Sequence, residues 1–79
     1  MQAEQRKQRA LEVIAKVSGE EVSSLEPDME LVADLGIDSP KALQLLVELE
    51  EALEIEISDE EAARMDTVGE VLDAVERKD

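Results

Sequence analysis

The sequence has no Phe, Tyr or Trp, no Cys and no His, and only two Pro and three Gly among its 79 residues. Each absence removes a class of structure or chemistry. Without aromatic rings the core must be built from Leu, Ile, Val, Ala and Met, which suits closely packed helices better than a sheet. Without Cys there is neither a disulfide framework nor a thiolate nucleophile. Without His the commonest general base and metal ligand is missing. Asp and Glu remain for acid–base work, yet no nucleophile–base set can be assembled around them. No acidic loop has calcium-ligand spacing around a central Gly, so no metal site is expected. A chain of this size buries only about 60% of the surface its unfolded form exposes. There is room for a single domain over residues 1–79, and the composition points to a non-catalytic partner or carrier rather than an enzyme.

What is present is acid. The formal net charge is −14, and it is unevenly placed. Residues 2–16 hold four basic side chains (Arg6, Lys7, Arg9, Lys16) against Glu4 and Glu12, whereas residues 20–61 hold fifteen acidic side chains against Lys41 alone. Such a field repels nucleic-acid phosphates and anionic lipid, and attracts basic patches on other proteins. No nucleic-acid or membrane partner is expected. The segment Met1 to Arg9 is polar and unlike a secretory leader, and no stretch nears the length of a membrane span. A cytoplasmic location is expected.

Hydrophobic spacing predicts three substantial helices and one short one. The first runs from about Ala3 to Val17, with Ala10, Leu11, Ile14 and Val17 on one face and Ser18-Gly19 as a stop. Residues 18–38 form a long connection whose Val22, Leu25, Met29, Leu31, Val32, Leu35 and Ile37 are too apolar for a solvated linker. This loop is expected to wrap the bundle and to contain a turn or two of helix near Met29–Leu35. The second helix begins at Ser39-Pro40, with Ser39 as cap and Pro40 in the first helical position. Its apolar face is wide enough to require more than one packing neighbour. Ile55 and Ile57 alternate with polar residues, but with no second strand to pair they read as an extended connector. A short helix starts at Ser58 or Asp59. The last follows the cap Thr67, shows Val68, Val71, Leu72 and Val75 at helical spacing, and ends on Arg77-Lys78, which suit a helix C-terminus. The fold class is all-α, a small antiparallel four-helix bundle with a long first loop.

The run Asp34-Leu35-Gly36-Ile37-Asp38-Ser39 leads into an apolar, Glu-rich helix. Leu25-Glu26-Pro27 precedes it. Glu50-Glu51-Ala52-Leu53, Ile57-Ser58-Asp59-Glu60-Glu61-Ala62 and Asp66-Thr67-Val68-Gly69 follow at fixed spacing. Together these segments resemble the acyl carrier proteins of fatty acid and polyketide synthesis over nearly the whole chain. The resemblance implies a 4′-phosphopantetheine arm joined to Ser39 through a phosphodiester, and a role for Asp38 in recognition by a phosphopantetheinyl transferase. The physical setting agrees: a helix N-terminus presents unpaired N–H groups and the positive end of the dipole to a phosphate. Taken alone Ser39 reads as a helix cap, as most such serines are; the surrounding landmarks turn the reading toward attachment, and the two roles are compatible. Gly36 reads as a position needing positive φ.

The resemblance further implies a docking surface for basic patches on acyl-loading, elongating and acyltransferase enzymes. That surface comprises Lys41, Gln44, Glu48, Glu50, Glu51, Glu54, Glu56, Glu60 and Glu61, and would support weak, salt-sensitive binding by a monomer. Leu43, Val47, Leu49, Ile55, Ile57, Ala62, Met65 and Val68 are the candidate lining of a space for an acyl chain, and are equally readable as ordinary core. The sequence departs from the family at Pro40, where Leu is usual, and at Lys41 and Gln44, where acids are frequent. These departures point to a carrier serving dedicated enzymes. Two alternatives stay open: an aminoacyl or peptidyl carrier, although Gly-Ile-Asp-Ser favours acyl cargo, and an unmodified acidic protein-binding adaptor.

Overall fold

The computed structural model describes residues 3–77. Met1, Gln2 and Lys78 of the terminal segments read above lie outside them. Four helices form an all-α bundle: α1 (Ala3–Ser18), α2 (Ser39–Leu53), α3 (Asp59–Ala63) and α4 (Val68–Glu76). α1 is the hub and packs against both α2 and α4. It buries Ala10, Val13, Ile14 and Val17, spaced i, i+3, i+4 and i+7, while Leu11 lies half-buried at the edge of this stripe. Against them stand Leu45, Leu49 and Leu53 of α2 and Val68, Val71 and Val75 of α4, and together they form one core cluster. The alternation at Ile55 and Ile57 belongs to a connector outside any regular element, as expected.

The long loop holds a single 3₁₀ turn at Val22–Ser24. The helical turns expected near Met29–Leu35 are instead one compact hydrogen-bonded turn. Asp34 N–H donates to Glu30 O (2.9 Å) and Gly36 N–H to Val32 O (3.1 Å), and Ile37 N–H returns to Leu31 O (2.9 Å). Asp34 closes the turn from the other side, its carboxylate accepting from Glu30 N–H at 2.7 Å. One turn cannot nucleate a helix cheaply, and Gly36, at φ 67°, ends it. The turn nevertheless carries Leu31, Leu35 and Ile37 into the core. An L-residue in that left-handed conformation costs roughly 1–2 kcal/mol. Gly36→Ala is therefore expected to lower stability by about that amount, and Gly36→Asn by less, since Asn tolerates the region. Equal urea midpoints for Gly36→Ala and the parent would refute the assignment.

A strap fastens this loop to the start of α4. Leu31 N–H donates to Asp66 O (2.9 Å), Val68 N–H to Met29 O (3.0 Å) and Gly69 N–H to Pro27 O (2.8 Å), and an isolated antiparallel bridge joins Glu30 and Thr67. The first two N–H groups of α4, which no helix satisfies internally, are thus taken by loop carbonyls. The third, that of Glu70, is taken by Thr67 Oγ1 at 3.2 Å in a reciprocal capping box. α3 is built the same way on Ser58 and Glu61, but contributes no buried residue of its own.

Candidate functional site

The cap of α2 is Asp38, one residue earlier than the sequence suggested. Asp38 is extended (φ −81°, ψ −176°), and its carboxylate accepts from Lys41 N–H at 3.1 Å. The reason is positional: an Ncap side chain reaches the N–H of the second or third helical residue, and with Ser39 and Pro40 inside the first turn Lys41 is the third. Ser39 is consequently the first helical residue and Pro40 the second. The Ser39 residue is exposed, and its hydroxyl makes no hydrogen bond among the described residues. An unencumbered hydroxyl therefore projects from the positive end of a 15-residue helix, rigidly held by the cap beside it. This fits a covalently attached phosphodiester. The helix supplies fewer N–H groups than a bare N-terminus would, because Pro40 has none and Lys41 N–H belongs to Asp38.

The acids assigned to docking fall into two groups. Glu51, Glu54, Glu56 and Glu60 are exposed, and their carboxylates are without a hydrogen bond or ion pair among the described residues. Glu48, Glu50 and Glu61 are half-buried and engaged. Glu61 accepts from Ser58 N–H (3.1 Å) within the α3 capping box, and Glu50 accepts from Ile57 N–H (2.9 Å). Glu48 is held by Lys16 Nζ and by Gln44 Nε2, each at 2.8 Å. Lys41 and Gln44 are exposed at the start of α2.

The bond from the Lys16 ammonium, then that from the Gln44 amide, holds the Glu48 carboxyl below its ordinary 4.5, while the bond to Glu48 raises the Lys16 ammonium above 10.5. The Glu48 contribution is present above 4.5 and is lost as pH falls through the lowered folded-state value. The Lys16 contribution is full below 10.5 and is lost as pH rises through the raised one. Lys16→Gln is expected to move the Glu48 carboxyl titration, followed by carbon NMR, back toward 4.5. An unmoved titration would show that the pair does not form. Lys16 was absent from the sequence-derived site because a contact 32 residues apart leaves no local signal.

The candidate acyl-pocket residues divide as well. Leu49, Met65 and Val68 belong to the buried core, and Ile55 and Ile57 pack against it half-buried. Ala62 is half-buried on α3. Leu43 and Val47, expected to face the interior, do not: Leu43 is 63% and Val47 44% exposed. The buried stripe of α2 runs Leu45, Leu49, Leu53, and the helical period turns Leu43 and Val47 to the far side. α2 meets its expected neighbours through Leu45, Leu49 and Leu53, with Leu46 and Ala52 beside them, in a cluster shared with α1, the long loop and α4, while Leu43 and Val47 stay outside it. Ser39, Leu43 and Val47 follow at i, i+4 and i+8, so an apolar row leads away from the free hydroxyl. Among the described residues no helix is long and apolar enough to cross a membrane, and no group of three acidic side chains is arranged to hold a metal ion.

Comparison with known proteins places these features in context. Residues 8–75 match the family described as "Phosphopantetheine attachment site". The chain is 33% identical over 66 residues to an acyl carrier protein of Desulforapulum autotrophicum, covering 84% of this chain and 86% of that one. It is 38% identical over 65 residues to an acyl carrier protein of Exiguobacterium sibiricum, covering 82% of each. It is also 46% identical over 66 residues to part of a polyunsaturated fatty acid synthase polypeptide of Thraustochytrium sp.. That match takes in 82% of this chain and 2% of the much longer protein. Among solved structures it superposes on the acyl carrier protein from Enterococcus faecalis with a TM-score of 0.83 at 28% identity, over the full length of both chains.

Proposed function

We propose, from the premise that this chain belongs to the acyl carrier protein family, that Ser39 bears its 4′-phosphopantetheine arm and that the cargo is a fatty acyl or polyketide chain. The observation that carries this reading is the exposed, unbonded Ser39 hydroxyl at the first position of α2, immediately after its Asp38 cap. The arm supplies the thiol that this Cys-free chain lacks and holds cargo as a thioester. The protein's own part is to present it: α2 is a rigid mount, Asp38 fixes its first turn, and the helix dipole favours the phosphate. Likeness to a polyunsaturated fatty acid synthase supports a fatty acyl cargo over an aminoacyl one.

Docking is assigned to the far side of α2, the connector and the start of α3. There the free carboxylates of Glu51, Glu54, Glu56 and Glu60 steer basic patches of partner enzymes, and Leu43 and Val47 add apolar contact area. Lys41, Gln44 and Pro40 set the surface next to the arm apart from a uniformly acidic one. The partners are a phosphopantetheinyl transferase and dedicated acyl-loading, elongating or acyltransferase enzymes, in the cytoplasm. The interior lined by Leu49, Ile55, Ile57, Met65 and Val68 is the candidate refuge for the acyl chain.

The reading is tested by incubating the protein with coenzyme A, Mg²⁺ and phosphopantetheinyl transferases, the host's own included, and recording intact mass. A gain of one phosphopantetheine, absent from Ser39→Ala, is the expected result. No gain with any transferase would favour the acidic-adaptor alternative.

A further inference from the structure

Between Glu54 and Ser58 the chain crosses from α2 to α3 without regular structure, and Glu50 governs the crossing three times over. Its carbonyl accepts the N–H groups of Glu54 and Ile55 (the latter at 3.2 Å), ending the helix. Its carboxylate then reaches seven residues ahead to the N–H of Ile57 at 2.9 Å. That last bond fastens the connector to α2, and with it the two side chains, Ile55 and Ile57, that lie half-buried against the cluster containing Leu49 and Leu53. Downstream, α3 buries nothing itself, and the chain is next anchored at Met65. The connector and α3 thus form a flap over one side of the core, tied by a carboxylate at one end and a buried side chain at the other.

We propose that Glu50 is a positioning residue for the cargo space rather than a docking acid: its bond to Ile57 N–H seats the flap over an acyl chain lodged beneath it, and releasing that bond uncovers the chain. The inference rests on the proposed carrier function. Glu50 differs from its neighbour Glu51 in the required way, being half-buried and bonded where Glu51 is exposed and unbonded. An acid acting through its charge is lost equally as Gln or Ala. An acid acting as an acceptor is replaced by Gln, whose amide oxygen accepts the same N–H.

The first measurement is amide hydrogen exchange in the unmodified protein. Glu50→Ala is expected to speed exchange at Ile57 roughly 2- to 10-fold, the range that one net hydrogen bond carries, with Glu50→Gln and Glu51→Ala close to the parent. Glu50→Asp, one methylene short, provides a milder version should the alanine variant not fold. The second measurement loads Ser39 with the arm bearing an octanoyl or an acetyl group and follows thioester cleavage by hydroxylamine. Glu50→Ala should accelerate loss of octanoyl by a similar factor and leave acetyl unchanged, and Glu50→Gln should restore protection. Equal behaviour of Glu50→Gln and Glu50→Ala, equal behaviour of Glu51→Ala and Glu50→Ala, or equal acceleration of both acyl groups overturns the proposal. The exchange result stands apart from the carrier reading: an Ile57 amide insensitive to Glu50→Ala refutes the tie whatever Ser39 carries, whereas failure to load the arm refutes the carrier function alone.

Discussion

Ser39→Ala is expected to abolish the gain of a phosphopantetheine arm while leaving the melting temperature where it was. The two halves of this result come from one geometry. The hydroxyl is the attachment point on our reading, but it bonds nothing in the fold, and the capping duty at this helix end belongs to Asp38. Asp38→Ala is expected to do the opposite to stability. It frees Lys41 N–H and removes a negative group from the positive end of α2, a loss of about 1 kcal/mol. In a domain of 60–100 residues that is a fall of roughly 4–8 °C in Tm. The pair is read by intact mass and thermal melts on the same samples. A Ser39→Ala melt as low as that of Asp38→Ala would mean that the serine shares the cap after all.

The second large effect is expected at Leu49. It is fully buried in the shared core of α1, α2 and α4, so Leu49→Ala removes its transfer energy and leaves a cavity, together about 2–5 kcal/mol. Small domains have only on the order of 5–15 kcal/mol of net stability, so much of the population is expected to unfold at mild urea concentrations. Leu43→Ala, six residues earlier on the same helix, should change stability by no more than about 0.5 kcal/mol because Leu43 is 63% exposed. Its expected consequence is slower modification and transfer by partner enzymes. Urea midpoints at constant m-value decide the comparison. Comparable losses at the two sites would place Leu43 in the interior, where its residue type alone had put it.

That contrast shows where the sequence was informative. Helical period and punctuation located α1, α3 and α4 closely, because Gly19, Ser58 and Thr67 each carry a local stop or start whose partners lie within four residues. The hexapeptide ending at Ser39 pointed to the proposed attachment point because its residues are contiguous in the chain. The cap of α2 was displaced by one residue because Asp and Ser are both good caps and stand side by side. α2 has apolar residues on most sides, so residue type could not tell the stripe Leu45, Leu49, Leu53 from the exposed pair Leu43 and Val47. Lys16 with Glu48, and Glu50 with Ile57, were illegible for a different reason. Each depends on where the chain returns in space, and a row of similar glutamates does not say which of them meets a cation, a backbone N–H or water.

The packing of α1 against both α2 and α4 has a consequence for how the molecule comes into being. The apolar stripe of α1 is shared with α4, which follows it by some fifty residues, so a chain emerging from the ribosome cannot close this core until α4 has been made. The partial product has α1 and α2 but lacks Val68, Val71 and Val75, the α4 members of the core cluster. Until α4 arrives, the long loop also lacks the carbonyl of Asp66 and the N–H groups of Val68 and Gly69 that fasten it. Folding of this core is therefore gated by α4. Closure over such sequence separations is slow relative to local helix formation, and the acidic middle of the chain keeps the waiting intermediate apart from its copies by mutual repulsion.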